Sequence, residues 1–481
     1  MFLRWCSIEN CDHPAERYVG SCMICAKHMC ADHVGGHTCP SSTDGEPAAY
    51  YAAYATSKRN HLAALLGKIN VKALEAAAST ARNGTPCSIP SLGTDISSEA
   101  QVDFIMARCG GQNCHLEIEF NDGVIWLARI RLDDPLLPPP EVQARIFLSE
   151  VATLQFLADT KVPAPRVYAY ELSSSDNAVG VPYIFMEKLS GKPLDWNDAT
   201  EQQRVRVMEQ LTDLYLELER HPLPLTSSLV PSPNPATTDK GSTQLGPFAQ
   251  APCFATPDRA LGPFDTLTEG YTALVRQQQH MLANREVSGL PVDNYLAFLW
   301  RLEALPELVA ESASRSGPFY LKHYDDKGDH ILVDDEYNIT GVIDWEFASA
   351  EAKELAFSSP CMMWPVGEFY DGSIVLSDEE TKFAATFERR GRADMAALVR
   401  GGRKWQRYLF FMGGGIPRDM VDFEPLFQGL RKSFLGKEDG ANIPSYLEWK
   451  QSALAGFAKG DKLLQDLMRA ERASARKTEA A

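Results

Sequence analysis

The sequence predicts an α+β protein of two lobes, a small β-rich lobe and then a large helical one, behind a short metal-stapled segment. Three observations predict it. Six of the eleven cysteines lie in the first 39 residues. Residues 115–132 alternate apolar and polar side chains on both sides of an Asn-Asp-Gly turn. Beyond about residue 195 the pattern is mainly helical.

The bulk composition suits a globular chain. Of 481 residues, 44% are hydrophobic and 23% charged, enough for several domains with a sizeable core. The net charge of −17 comes with no evident basic patch, which argues against nucleic-acid binding. No stretch approaches the ~20 apolar residues of a membrane helix. The opening "MFLRWCSIENC" is too polar for a signal peptide, so a cytoplasmic location is expected.

In a reducing compartment, clustered cysteines point to metal rather than disulfides. The segment reads C-x4-C-x10-C-x2-C-x4-C-x2-H-x3-H-x-C, from Cys6 to Cys39. A segment this short cannot bury a core alone, and tetrahedral zinc is its natural staple. Eight ligands make two structural sites and leave His13 and His28 over. The pattern, closest in "CMICAKHMCADHVGGHTC", resembles the AN-one-type zinc finger. That resemblance implies interleaved sites, with Cys6, Cys11, Cys30 and His33 on one zinc and Cys22, Cys25, His37 and Cys39 on the other. With no sign of an open coordination position beside a base, the zinc reads as structural and the finger as a site of protein contacts.

An alanine-rich stretch over 47–82 follows. Leu62, Leu65, Leu66 and Ile69 fall on one helical face, which predicts one or two linking helices. "HLEIEF", "NDG" and "VIWLARIRL" predict a hairpin. "PEVQARIFLSEVATLQFLADT" predicts an amphipathic helix, and "VPYIFMEKLSGKPL" a strand running into a polar connector. The Pro, Ser, Thr and Gly of 221–264 predict an irregular insertion. The expected limits are a finger over 1–42, a helical linker over 43–100, a small lobe over 101–190, a large lobe over 191–465 and a fraying tail over 466–481.

The chemistry sits in "FYLKHYDDKGDHILVDDEYNITGVIDWEF", residues 319–347. Phosphoryl transfer needs a group to orient a hydroxyl, an oxygen ligand for Mg²⁺ and offsetting charge. The pattern for this is H-x-D-x4-N, a strand hairpin and a second Asp. Here Asp325 can accept the proton of an attacking hydroxyl, Asp344 can ligate Mg²⁺, and Lys327 can counter phosphate charge. His323 reads as a brace. His330 stands where the pattern has the metal-binding Asn and is a candidate metal ligand; imidazole suits Mg²⁺ poorly, Zn²⁺ or Mn²⁺ better, and when protonated it could contact a phosphate directly.

This stretch resembles the aminoglycoside phosphotransferase and choline kinase-like superfamily, and in particular fungal proteins with "DKGDHILVD…NITGVIDWEFA". The likeness runs upstream through "FNDGVIWLARI" and "SEVATLQFLADTKVPAPRVYAY", over roughly residues 101–420. It implies a bilobal protein kinase-like fold, ATP as donor and a small-molecule acceptor. It also implies that Arg129 takes the place of the phosphate-pairing strand lysine, with Glu150 as its helix partner. Met186, Glu187 and Lys188 would form the adenine-facing connector. The expected function is ATP-dependent phosphorylation of a small-molecule hydroxyl. The alternative is a regulatory binding protein of the same fold that transfers nothing.

Overall fold

The computed structural model describes residues 2–39, 47–93, 99–232, 243–410, 417–435 and 443–479. The first segment is mostly loop, with one short helix, α1 (Ala31–Val34). Helices α2 (Pro47–Lys68) and α3 (Val71–Ala81) follow, and the Asn70 side chain caps α3 by accepting from Ala73 N. Leu62, Leu65, Leu66 and Ile69 are all buried, as their shared face predicts. They do more than link. With Leu74 and Ala78 they pack on Leu116, Ile118, Trp126, Ala128 and Ile130, so these helices complete the small-lobe core.

The small lobe is a five-stranded antiparallel sheet of order β1-β2-β3-β5-β4. Its strands are β1 (Cys87–Ser88), β2 (Asn113–Phe120), β3 (Ile125–Arg131), β4 (Val167–Glu171) and β5 (Tyr183–Glu187). The short helix α4 (Glu99–Met106) leads into β2. In β2 burial alternates along the strand, as expected of a sheet with one face in a core. Gly123 takes φ 86° in the hairpin turn, and the register sets His115 opposite Arg129. Helix α5 (Pro140–Leu157) starts with Pro at its first turn and buries Ile146, Glu150, Val151 and Leu154.

Strand β6 (Lys192–Pro193) carries the chain into the large lobe, where it joins β12 (Ile331–Val333) and β13 (Ile339–Val342) in one small sheet. Helix α6 (Glu201–Glu219) opens with a full capping box between Thr200 and Gln203. The segment expected to be an irregular insertion carries short paired strands among its described residues. These are β7 (Ser228–Pro231) with β8 (Thr243–Gly246), and β9 (Phe254–Thr256) with β10 (Arg259–Ala260). Residues 233–242 of it lie outside the described residues.

Helices α7 (Leu267–Ala283) and α8 (Pro291–Ala310) lead to strand β11 (Tyr320–Lys322), which pairs with β14 (Ser349–Glu351). The remainder is helical: α9 (Lys353–Ala356), α10 (Val366–Tyr370), α11 (Asp378–Arg389), α12 (Ala393–Phe410), α13 (Met420–Leu435), α14 (Tyr446–Phe457) and α15 (Lys462–Glu479). The stretch expected to fray thus continues as helix to Glu479, anchored near its start by the buried Leu464. The whole is the bilobal, kinase-like α+β architecture, with a large apolar core in the helical lobe that reaches α5. Among the described residues, no helix is long and apolar enough to cross a membrane.

Candidate active site and the docked cysteine–histidine segment

A cleft of about 640 Å³ separates the lobes. The loop before β2 roofs it with Gly110, Gly111 and Gln112, and β3 contributes Arg129. Met186 and Glu187 line its back, and Asp325, Lys327, His330 and Asp344 its floor. Two antiparallel hairpins therefore meet here, one from each lobe. Gly191 makes the crossover: its φ of 106° suits glycine, and a Cβ there would collide with the Thr340 hydroxyl.

Arg129 is buried and ion-pairs with Glu150 of α5, as the superfamily frame implies. It also reaches two carboxylates of the large lobe. Its Nη2 lies 2.9 Å from Asp344 Oδ1 and 3.0 Å from Glu346 Oε2. Glu346 was not singled out in the sequence, yet it is the hub of the site. It is 4% exposed and accepts from Arg131 Nη1 at 2.6 Å and from Asn113 Nδ2 at 3.2 Å. Arg131 in turn holds the Gln112 side chain. The signal was present in "DWEF", where two acids flank a Trp, but nothing local showed that two strand arginines would converge on the second acid.

Asp344 adopts φ 61°, the left-handed region that Asp tolerates better than most side chains. Phe347, at φ 69°, turns the chain again. Both are sparsely populated conformations of the kind found at ligand sites. Asp325 is half exposed, and Lys327 Nζ donates to its Oδ2 at 2.9 Å. That bond, with Asp329 at 3.6 Å, raises the Lys327 pKa and keeps the ammonium charged. Lys322 and Asp326 form a buried pair at 2.5 Å behind the loop, and Asp326 also accepts from Cys361 N at 2.9 Å. Neither was legible as more than a neighbour of Asp325.

His323 is the expected brace, its Nε2 donating to Ile343 O at 2.9 Å. His330 is buried, and its ring centre lies 4.4 Å from that of His323. Burial and the nearby His323, Lys322 and Lys327 drive its pKa well below the ordinary value, so it is neutral. A charged contact from His330 to phosphate is therefore not available near neutral pH. Its Nδ1 accepts from Gly328 N at 3.3 Å. Lys188 turns away from the cleft to pair with Glu117 at 2.7 Å, while Met186 and Glu187 face it.

The N-terminal cysteines and histidines fall into the two interleaved sets implied by the resemblance. Ligand atoms of Cys6, Cys11, Cys30 and His33 lie within 4.8 Å of one another, as do those of Cys22, Cys25, His37 and Cys39. Thiols and imidazoles at such separations fit a tetrahedral zinc. His13 lies instead beside Asp32, 3.3 Å away, and His28 Nδ1 bonds Ser21 Oγ at 2.9 Å.

This segment does not hang free. Arg17 Nε bonds Glu286 at 2.8 Å and its Nη1 bonds Phe254 O at 2.6 Å. Buried Glu16 accepts from Arg418 at 2.8 Å and from Ser288 N at 3.3 Å. On the small-lobe side Arg4 donates to Pro135 O at 3.0 Å. Leu3 packs, as Phe347 does, on a cluster of Val142, Ile146 and Phe254.

Residues 136–351 match the model of the phosphotransferase enzyme family known as APH. That span is just under half of the chain. It includes Glu150, the connector, Asp325 and Asp344, but neither Arg129 nor the cysteine-rich segment. An 84-residue stretch is 37% identical to a subtelomeric hrmA-associated cluster protein of Aspergillus fumigatus; it covers 17% of this chain and 16% of that one. Among solved structures, a Plasmodium vivax ethanolamine kinase aligns at 11% identity over 82% of this chain and 90% of its own, with TM-score 0.40. An aminoglycoside phosphotransferase in ternary complex with AMP-PNP and hygromycin B aligns at 16% identity over 68% and 93%, with TM-score 0.37.

Proposed function

We propose that this chain is an ATP-dependent phosphotransferase of the APH type that phosphorylates a hydroxyl of a small molecule. The observation that carries the reading is one cleft. It brings Asp325 with its Lys327 partner, Asp344 on a strained turn, and a buried Arg129–Glu150 pair onto facing walls. Asp325 orients the acceptor hydroxyl and takes its proton. Lys327 offsets charge on the transferred group. Asp344 supplies the hard oxygen that Mg²⁺ prefers, and the ion, when bound, neutralises phosphate charge. Arg129 supplies cationic charge on the phosphate side, and Met186 and Glu187 face the base. His330, being neutral and buried, positions the loop rather than contacting phosphate.

The eight clustered ligands hold two structural Zn²⁺ ions in this reading. The docked face of the finger serves its own chain. The surface left uncovered is open to a protein partner in this reading.

A second reading has one observation in its favour. Arg129 already bonds Asp344 at 2.9 Å, which occupies the metal carboxylate and the phosphate cation together. A protein locked in that state would bind nucleotide weakly and transfer nothing. Purified full-length protein, assayed for ATP consumption against a panel of hydroxylated and amino-bearing small molecules, separates the two. Turnover that needs Asp325 supports transfer. Weak or absent ATP binding, with or without metal, and no turnover on any acceptor supports the second reading.

A further inference from the structure

Two cysteines outside the finger face each other at the foot of the loop that roofs the cleft. Cys109 ends the turn after α4, and Cys114 is the second residue of β2. They are partners in an isolated antiparallel bridge. Gly110 N donates to Asn113 O at 2.9 Å just inside the pair, which makes 109 and 114 a non-hydrogen-bonded pair. In such pairs the Cα atoms approach to about 4.5 Å with side chains turned toward each other. Disulfides span Cα separations of about 4.4–6.8 Å. The Cys109 thiol donates to Ile105 O at 3.4 Å, and the two thiols are close enough to perturb each other's ionisation. Cys109 is partly exposed and lines the cleft, whereas Cys114 is 1% exposed.

We infer that Cys109 and Cys114 are a reversible dithiol–disulfide pair that fixes the Gly110–Asn113 loop over the cleft. Naming this the phosphate side of the cleft rests on the function proposed above; the thiol chemistry does not. The oxidant is a low-molecular-weight disulfide of the glutathione type. Cys109, the accessible thiol, attacks as thiolate and forms a mixed disulfide, releasing one glutathione thiolate. Cys114 gives up its proton and attacks the Cys109 sulfur, releasing the second glutathione. One glutathione disulfide is reduced to two thiols, and one protein dithiol is oxidised.

The electrostatics suit this order. The neighbouring Cys114 thiol, and Lys58 nearby, hold the Cys109 pKa below its ordinary value, and the Cys109 thiol with burial raises that of Cys114. A thiol with lowered pKa and access is the one that attacks first. The ring so closed contains two adjacent glycines, with open space beside Gly111, so the bond adds a covalent closure to a loop otherwise held by the hydrogen bonds of Gln112 and Asn113.

The test uses zinc-loaded, full-length protein equilibrated in buffers from reduced to oxidised glutathione, then alkylated and digested with trypsin. Cys109 and Cys114 share one peptide, because Arg108 precedes it and Arg129 is the next Lys or Arg. The expected result is that this peptide becomes two hydrogens lighter and unalkylated in oxidised buffer, and reverts in reduced buffer. Cys109→Ser removes the change, and hydrogen exchange at residues 110–113 slows only in the oxidised wild type. Alkylation of both cysteines at every glutathione ratio overturns the inference, as does a stable glutathione adduct on Cys109. Exchange at 110–113 that ignores oxidation overturns the claim that the bond fixes the loop.

Discussion

Arg129 Nη2 lies 2.9 Å from Asp344 Oδ1, so a cation of the small lobe holds the carboxylate expected to carry metal in the large lobe. The contact closes the cleft with two more carboxylates around the same guanidinium, Glu150 and Glu346. A lysine in this place would have to meet all three acids from one compact ammonium, whereas the arginine spreads them over the two ends of a planar fork. Metal and phosphates would have to draw Asp344 and Arg129 apart, and each would then gain a new partner of opposite charge.

Asp325→Ala should remove turnover while leaving ATP affinity within about twofold, since general-base groups contribute roughly 10²–10⁴ in rate and little in binding. Steady-state turnover and calorimetric binding on the same preparation check this. Unchanged turnover would remove Asp325 from the mechanism.

Arg129→Ala should destabilise the fold strongly. Breaking a buried ion pair by removing one partner costs about 3–5 kcal/mol, and here Glu150 and Glu346 would both lose a partner. Arg129→Lys should recover part of the loss, because one pair can still form. Denaturant midpoints of the two variants give the order. A midpoint for Arg129→Ala equal to wild type would mean that the network is not formed in solution.

The cysteine–histidine segment should bind about two zinc ions per chain by elemental analysis, and about one in Cys25→Ser, because each set of four has its own ligands. Arg17 is buried against Glu286. Chelation should therefore lower the melting temperature of the large lobe as well as unfold the finger. A fully folded, zinc-free protein would contradict both statements.

His115 faces Arg129 across the hairpin, and burial with that charge holds its pKa at about 4, below the ordinary 6.5. A depressed histidine keeps the folded state unprotonated where the unfolded chain takes up a proton. Its contribution is present above pH 6.5 and is lost as pH falls from 6.5 toward 4. Stability of the wild type should thus fall over that window relative to His115→Gln. Parallel curves for the two proteins would show that His115 titrates normally.

The legibility of the sequence was uneven for physical reasons. Local periodicity showed the hairpin of β2 and β3, the helix carrying Glu150, and the buried face of Leu62, Leu65, Leu66 and Ile69, because each depends on neighbours a few residues apart. The grouping of the cysteines and histidines from Cys6 to Cys39 into two sets was legible through dense spacing and a family pattern. The Glu346 hub was not, since Asn113, Arg129 and Arg131 reach it from more than 200 residues away. The same holds for Glu16 with Arg418, a long-range contact that turns a module into a docked part of the lobe. Helix α15 was missed because its charged end reads as a tail until the apolar Leu464 is seen to be buried.

The central claim is a working, metal-dependent nucleotide site, and calorimetric titration with ATP tests it most directly. The titration is run with and without Mg²⁺ or Mn²⁺, on wild type and on Asp344→Ala. The account predicts binding that requires the metal and is lost, or weakened at least about tenfold (~1.4 kcal/mol), in Asp344→Ala. Absence of binding with either metal, or equal binding by wild type and Asp344→Ala, would contradict it.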